Sequence, residues 1–421
     1  MSDTPSISQV IRFCLSYKIL PFIPFITYIV LPSSIQQFFV VGKYSPCPFY
    51  IFDICLLLFL FIVLSKNKVN RQAPDLIIPI ILYVLFALFS VIVNGVSSLI
   101  VGFLYHLDFV LYAFLFRYTV YNKSEINIIQ HLCGILLIYL ALQAVLIFFG
   151  IIHVSVETSS LMLRGSSTAG SPNATGHIIF LLCIISSFSN ISIYKKLVIF
   201  LIAGLGVFFT LCRGAILGYM LYVLLSFMIY GLHISLFKKI ISTIFIIGLF
   251  MTLNNYFHFI DVFEQRQEQS LAYSDGDDYS AGRFNRWDYA LDGLARNNSY
   301  LFGEGLVTTP MDKGEILSYC SLKRTKAYSP HNVYIGVLVE TGILSLLFFL
   351  IMLWKTLRRF YSLDKYLFLG IIIFYGVSFM TEITTYTQNY AVLIWFAYYN
   401  FKMHEVTPMV RLHSKFPIKH L

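Results

Sequence analysis

The run NVYIGVLVETGILSLLFFLIMLW, residues 332–354, directly follows a long polar segment, and this junction decides the fold. The polar segment, 260–331, begins IDVFEQRQEQSLAYSDGDDYSAGRFNRWDYALDGL and ends KRTKAYSPH. A helix of about 20 apolar residues matches the hydrocarbon thickness of a bilayer. The sequence therefore predicts a membrane span that is preceded by one large excursion into water.

The composition places the rest of the chain in a membrane as well. Of the 421 residues, 58% are hydrophobic and 12% are charged, whereas soluble domains carry about 25% charged residues. We predict an all-α polytopic membrane protein in which residues 1–421 form a single integral domain with about 12 transmembrane helices. The predicted helices occupy residues 13–32, 48–64, 76–94, 97–116, 128–152, 174–190, 196–212, 214–230, 239–259, 332–353, 366–381 and 389–402.

The charge pattern predicts the orientation. Short basic clusters lie between apolar runs at 66–71, 117–123, 195–196, 238–239 and 355–359. Because basic loops stay in the cytoplasm, all of these are predicted to lie on the cytoplasmic side. They also account for the net charge of +9 without a nucleic-acid partner.

The segment 260–331 then faces outward, between predicted helices 9 and 10. It contains eight basic and eleven acidic residues, a net charge of −3. A generic anion-attracting surface is therefore excluded, so its arginines must act individually. Within it, RFNRWDYALDGL (283–294) spaces its apolar residues as one face of a helix, and we expect an amphipathic helix on the membrane or across the mouth of the bundle.

The seven cysteines mostly fall inside apolar runs and show no metal-binding spacing. Packing is the default role for such residues. Cys47 and Cys320 lie in loops predicted on the same side, which leaves a disulfide between them open.

His331 is the first candidate for chemistry. It follows Ser329 and Pro330 at the predicted start of a span, so its ring is expected at a defined position near the lipid–water boundary. Imidazole titrates near neutral pH and can accept a proton from an attacking hydroxyl. The alternative is a surface histidine that caps the helix.

Two arginines lie next to apolar runs, where a guanidinium is costly unless it has a polar partner. Arg213, in FFTLCRGAILGYM, has apolar sequence on both sides, and a charge there is costly unless it faces a counterion or an aqueous cavity. Arg164 precedes a predicted span that begins near Asn173, where the helix N-terminus adds backbone donors for an anion. Arg164 can instead reach lipid head groups.

Arg283 and Arg286, three residues apart, are placed to hold one phosphate from two directions. Pairing with Asp288 or Asp292 is the alternative. Glu340 lies inside the apolar run, so we expect it to face protein or water, in a structural role or as a partner of a base. The ionisable residues of the other apolar runs are scattered, and the sequence does not relate them: Asp53, His106, Asp108, His177 and Glu382.

In their order, RGSSTAGSPNATG, TLCRGAILG, SAGRFNRWDYAL, GEGL and HNVYIGVLVETGIL resemble the superfamily of O-antigen polymerases (Wzy-type) and O-antigen ligases (WaaL-type). The resemblance covers roughly residues 160 to 350. Arg213 matches the arginine of the family's SRG-like corner, although Cys212 replaces the serine. Arg164 and Asn173 match the R…PN segment, and Arg283 or Arg286 matches the loop arginine. His331 and Glu340 match the HN…E-x-G segment.

The resemblance implies a glycosyltransferase with a GT-C-like fold, in the bacterial inner membrane, whose active site faces the periplasm. It implies no metal and no cofactor. Donor and acceptor would be undecaprenyl-pyrophosphate-linked oligosaccharides, with a chain-length regulator as a further partner. His331 would act as the base, while Arg164, Arg213, Arg283, Arg286 and Asn173 bind pyrophosphate. We favour an O-antigen or capsular polymerase; a ligase to lipid A-core and a lipid-linked glycan flippase are the alternatives.

Overall fold

The structure is a computed structural model of the 421-residue chain. It describes residues 5–31, 40–41, 49–50, 54–66, 75–94, 109–152, 172–188, 193–231, 261, 264, 283–304, 308–310, 316–318, 332–381 and 388–401. The predicted helix 239–259, Cys47, Cys320 and much of the segment 260–331 lie outside these residues.

The described chain is helical apart from two short antiparallel ribbons, Val40–Val41 with Phe49–Tyr50 and Thr308–Pro310 with Ile316–Ser318. The helices are α1 (Ile7–Cys14), a 3-10 turn (Tyr17–Phe22), α2 (Ile23–Val30), α3 (Ile54–Lys66), α4 (Ile77–Asn94), α5 (109–117), α6 (Lys123–Phe148), α7 (Pro172–Ser187), α8 (Ile193–Phe209), α9 (Arg213–Gly231), α10 (Arg283–Asn297), α11 (Val333–Leu363), α12 (Lys365–Ile373), a π-helical segment (Phe374–Ser378), α13 (Phe379–Thr381) and α14 (Gln388–Asn400).

Two of the described helices, α6 and α11, are long and apolar enough to cross a membrane. A third span is obtained if α1 and the following Tyr17–Val30, bent by 79° from each other, are counted as one. The break falls at Leu15 and Ser16, so most of the helix predicted at 13–32 corresponds to the 3-10 turn and α2. The described residues are those of a predominantly helical membrane protein, and the total of twelve spans stays a prediction.

Basic residues of two predicted cytoplasmic loops meet at one end of the bundle, here called the basic end. Lys355 Nζ donates to the backbone carbonyl of Asp75 at 3.2 Å, and the Asp75 carboxylate pairs with Arg117. Arg359 Nη2 donates to the carbonyl of Phe401 at 3.0 Å. These loops therefore share one side of the bundle, as the charge pattern predicts.

Helix α11 is not straight. Gly342 has φ 82° and ψ 177°, which breaks the helix into a first arm, 333–341, and a second arm, 343–363. The rings of Tyr334 and Phe349 are 6.4 Å apart, whereas fifteen residues of straight helix would separate them by about 22 Å. The first arm therefore folds back along the second, so the helix predicted at 332–353 is present but sharply bent at Gly342.

Candidate functional site

The segment 210–214, here called the corner, joins α8 to α9 in a tight turn. Leu211 takes a left-handed conformation with φ 51°, which ends α8. The Cys212 amide donates to Thr210 Oγ1 at 3.2 Å, and the Cys212 carbonyl accepts from Ile216 as α9 begins. Arg213 is thus the first residue of α9, and its side chain is half-buried.

Two glycines allow other segments to approach the corner closely. A Cβ on Gly176 of α7 would lie 2.9 Å from both Thr210 Oγ1 and Ala215 Cβ. A Cβ on Gly214 would lie 2.9 Å from Cβ of Thr381, the last residue of α13. The corner is therefore held between α7 and the end of α13.

The corner lies at the end of the bundle opposite the basic end. Helix α6 starts at Lys123 and ends at Phe148, whose ring is 4.9 Å from that of Phe209, directly before the corner. Asn173 is the second residue of α7, three before Gly176 and hence on the same face. Arg213 and Asn173 accordingly lie at the same end of two adjacent helices.

The bend in α11 brings the residue after His331 into this neighbourhood. Asn332 and Val333 are buried, and Asn332 Oδ1 caps α11 by accepting from the amides of Tyr334 and Ile335. Tyr334 donates to the carbonyl of Tyr375 at 2.9 Å, and its ring lies 6.1 Å from that of Phe379. Phe379 precedes Thr381 by two residues, so the start of α11 and the corner share the same neighbouring segment.

Helix α10 packs on the first arm of α11. Ala290 and Leu294 are fully buried and form a small apolar cluster with Val339, against which Leu291, Ile335 and Leu338 pack. This confirms the amphipathic helix predicted at 283–294, which extends to Asn297. It covers the arm that leads from His331 to the bend.

The turn after α10 binds to the bend through backbone groups, and we call this contact the joint. The Glu304 amide donates to the Val339 carbonyl at 2.7 Å, and the Ile343 amide donates to the Tyr300 carbonyl at 2.9 Å. Gly303 has φ 74°, and a Cβ there would lie 2.6 Å from the Val339 carbonyl oxygen. The joint thus links the turn at 300–304 to the bend at 339–343.

Both carboxylates at the joint are buried. Glu304 accepts hydrogen bonds from Asn297 Nδ2 at 2.9 Å and from Ser299 Oγ. The backbone carbonyl of Glu340 accepts from Ser90 Oγ of α4 at 2.7 Å. Because Glu340 is buried, it faces protein, one of the two expected surroundings, and it lies at the bend between the two arms.

The structure describes the predicted site residues unequally. Arg213 and Asn173 lie at the corner end, and Glu340 lies at the joint. The backbones of Arg283 and Arg286 belong to α10, whereas their side chains, Arg164 and His331 lie outside the described residues. For His331 the structure adds only the position of its neighbour Asn332, which is buried. Its role, like those of the five pyrophosphate-binding residues, stays a prediction.

His177 of α7 contacts the corner and was not singled out by the sequence. It is fully buried, with Nε2 3.3 Å from Thr381 Oγ1 and 3.7 Å from Cys212 Sγ. Its position just after PNATG, the start of α7, was the only available signal. Nothing in the local pattern relates it to Thr381, which is distant in sequence.

The architecture is that of a helical membrane protein with a polar site at one end, and comparison with known proteins agrees with this class. Residues 198–350 match the family model described as O-Antigen ligase. A search of curated proteins finds no match. The matched range, a little over a third of the chain, contains the corner, α10, the joint and His331. It supports membership of the O-antigen polymerase and ligase superfamily and an enzyme that handles lipid-linked glycans.

Proposed function

We propose that this chain is a glycosyltransferase that polymerises undecaprenyl-pyrophosphate-linked repeat units of an O-antigen or capsular polysaccharide at the periplasmic face of the inner membrane. The main support is the fold of α11. Its bend places the residue after His331 beside the segment that holds the Arg213 corner, while α10 covers the same arm. The family match over this range adds a lipid-linked glycan as the substrate class.

We infer an inverting displacement. The acceptor hydroxyl attacks the anomeric carbon of the donor while the bond between that carbon and the pyrophosphate oxygen breaks. The hydroxyl proton passes to His331, and the electron pair of the broken bond leaves with undecaprenyl pyrophosphate. Arg213, Asn173, Arg164 and the α10 arginines stabilise the charge that develops on the leaving group. In this scheme arginines carry the charge neutralisation for which other transferases use a divalent cation.

The decisive experiment is reconstitution of the purified protein in liposomes with a lipid-linked repeat unit as the only glycan. We expect a ladder of longer lipid-linked products, formed equally with and without chelator. Arg213→Ala and His331→Ala should each lower the rate by at least about 100-fold. Arg296→Ala, on the exposed side of α10, is the matched control and should keep the wild-type rate. A full-length ladder from Arg213→Ala would overturn the assignment of the site.

A ligase is the second candidate, favoured by the description of the matching family model. It shares the donor and the chemistry but transfers the glycan to lipid A-core. Adding lipid A-core to the same liposomes separates the two functions. Transfer to lipid A-core without ladder formation would identify a ligase, and movement of the donor across the bilayer without any new bond would identify a flippase.

A further inference from the structure

The tautomer of His177 is assigned from the hydrogen bonds around its ring. Thr381 Oγ1 donates its proton to the carbonyl of Val377 at 2.8 Å, one turn earlier in its own helix. With the hydroxyl proton assigned to this bond, the Thr381 oxygen accepts from the imidazole, so Nε2 carries a proton and Cys212 Sγ is a second acceptor in reach. In the neutral ring the lone pair then lies on Nδ1.

Nδ1 of His177 is buried and has no hydrogen-bond partner among the described residues. A buried acceptor left without a partner costs about 1–3 kcal/mol. An apolar side chain of similar size would avoid this cost if His177 only filled space. This cost is offset if the Nε2 donor on the opposite side of the ring fixes a segment that the reaction needs.

What Nε2 holds is the corner. Cys212 immediately precedes Arg213, and Thr381 packs on Gly214, which immediately follows it. The imidazole thus connects the residues on both sides of Arg213 to α7 and α13, at the point where the guanidinium leaves the backbone. Resting on the function proposed above, we propose that His177 is a positioning residue, which acts on the reaction through Arg213.

Two substitutions test this by keeping one ring nitrogen each. The amide of Gln reaches the position of Nε2 and keeps a donor toward Thr381 and Cys212, whereas the amide of Asn reaches only the position of Nδ1. We expect His177→Asn to lower the transfer rate by about 10-fold or more. His177→Gln should keep at least about a third of the rate, because the donor is retained. Amounts of folded protein should match wild type in both variants by size-exclusion chromatography in detergent.

The histidine control is His131→Asn. His131 lies on α6, far from the corner in sequence, where its Nδ1 is bonded to the Asn127 carbonyl at 2.7 Å, and we expect the wild-type rate. If both His177→Asn and His177→Gln keep the wild-type rate, or if both lower it equally, the positioning role is overturned, because only Gln keeps the Nε2 donor. A loss of folded protein that accounts for the whole loss of rate would overturn it as well.

A further experiment tests whether His177 acts through Arg213. In an Arg213→Lys background, His177→Asn should have an effect of less than about 2-fold, since the guanidinium fork that it positions is gone. Additive losses would overturn the proposal. Failure of the proposed function looks different, because Arg213→Ala would then keep the wild-type rate. If Arg213→Ala abolishes transfer while His177→Asn does not lower it, only the positioning role fails.

Discussion

The corner and the joint lie in the same part of the chain's folded bundle and are built by opposite means. The corner is held by side chains, because His177 reaches Cys212 and Thr381 and the packing around it is between side-chain atoms. The joint is held by main chain, with two amide–carbonyl bonds between the turn at 300–304 and the bend of α11. This difference determines whether the loss of stability from one substitution can be offset by a second substitution nearby. Side-chain packing can be rebuilt around a new residue, whereas backbone atoms at a glycine cannot be replaced.

Gly342→Ala should have the largest effect on stability. The conformation of Gly342 is essentially restricted to glycine, which adds about 1–3 kcal/mol of strain for any other residue. A Cβ there would also lie 2.5 Å from the Leu301 carbonyl carbon and 2.6 Å from the Phe302 amide nitrogen. We expect a loss of roughly 3 kcal/mol or more in the free energy of unfolding, measured from thermal unfolding in detergent by tryptophan fluorescence.

Gly134→Ala is the control for this substitution. The nearest atom to a Cβ on Gly134, outside its own helix, is Ser186 Oγ at 3.9 Å, so there is room. Alanine is favoured over glycine inside a helix by up to about 1 kcal/mol. The two variants should therefore shift the midpoint in opposite directions, and a Gly342→Ala protein as stable as wild type would show that the joint does not restrain the bend.

At the joint, the sequence predicts the helix and the turn but not the bend that they contact. The amphipathic pattern predicts α10, and NNSYLFGEGL predicts a turn, because both signals are local. The bend at Gly342 carries no such signal, since ETGILS reads as continuous helix and the reason for the break is the turn at 300–304, far away in sequence. The same holds at the corner. Arg213 stands out from its apolar surroundings, but its relation to His177 and Thr381 depends on helix packing that periodicity does not encode.

Glu304→Gln should have an intermediate effect that is confined to the joint. The carboxylate accepts from Asn297 and Ser299 at the end of α10, and Gln keeps one acceptor oxygen but turns the other into a donor that faces a donor. We expect α10 to detach more readily, by about 1–2 kcal/mol. Tryptic cleavage after Arg296, an exposed residue of α10, should become several-fold faster while the unfolding midpoint moves little.

Asn297→Asp is the matched variant, because it removes a donor and adds a charge beside Glu304. It should speed cleavage at least as much as Glu304→Gln does. Unchanged cleavage in both variants would mean that the main-chain bonds alone hold α10 in place.

The smallest effect is expected one turn below the corner, where Gly218 of α9 packs on Phe180 of α7. A Cβ on Gly218 would lie 3.0 Å from Phe180 Cε1, which is the edge of a side chain and can give way. Gly218→Ala should therefore cost less than about 1 kcal/mol, because the gain in helix propensity offsets the tight contact. Phe180→Leu alone leaves space and should cost about 1 kcal/mol. In the double variant the added methyl occupies the space that the ring vacates. Its loss in the free energy of unfolding should therefore be smaller than the sum of the two single losses by about 0.5 kcal/mol or more. If the two losses in the free energy of unfolding are strictly additive, this interface behaves like the joint, where a second substitution does not offset the first.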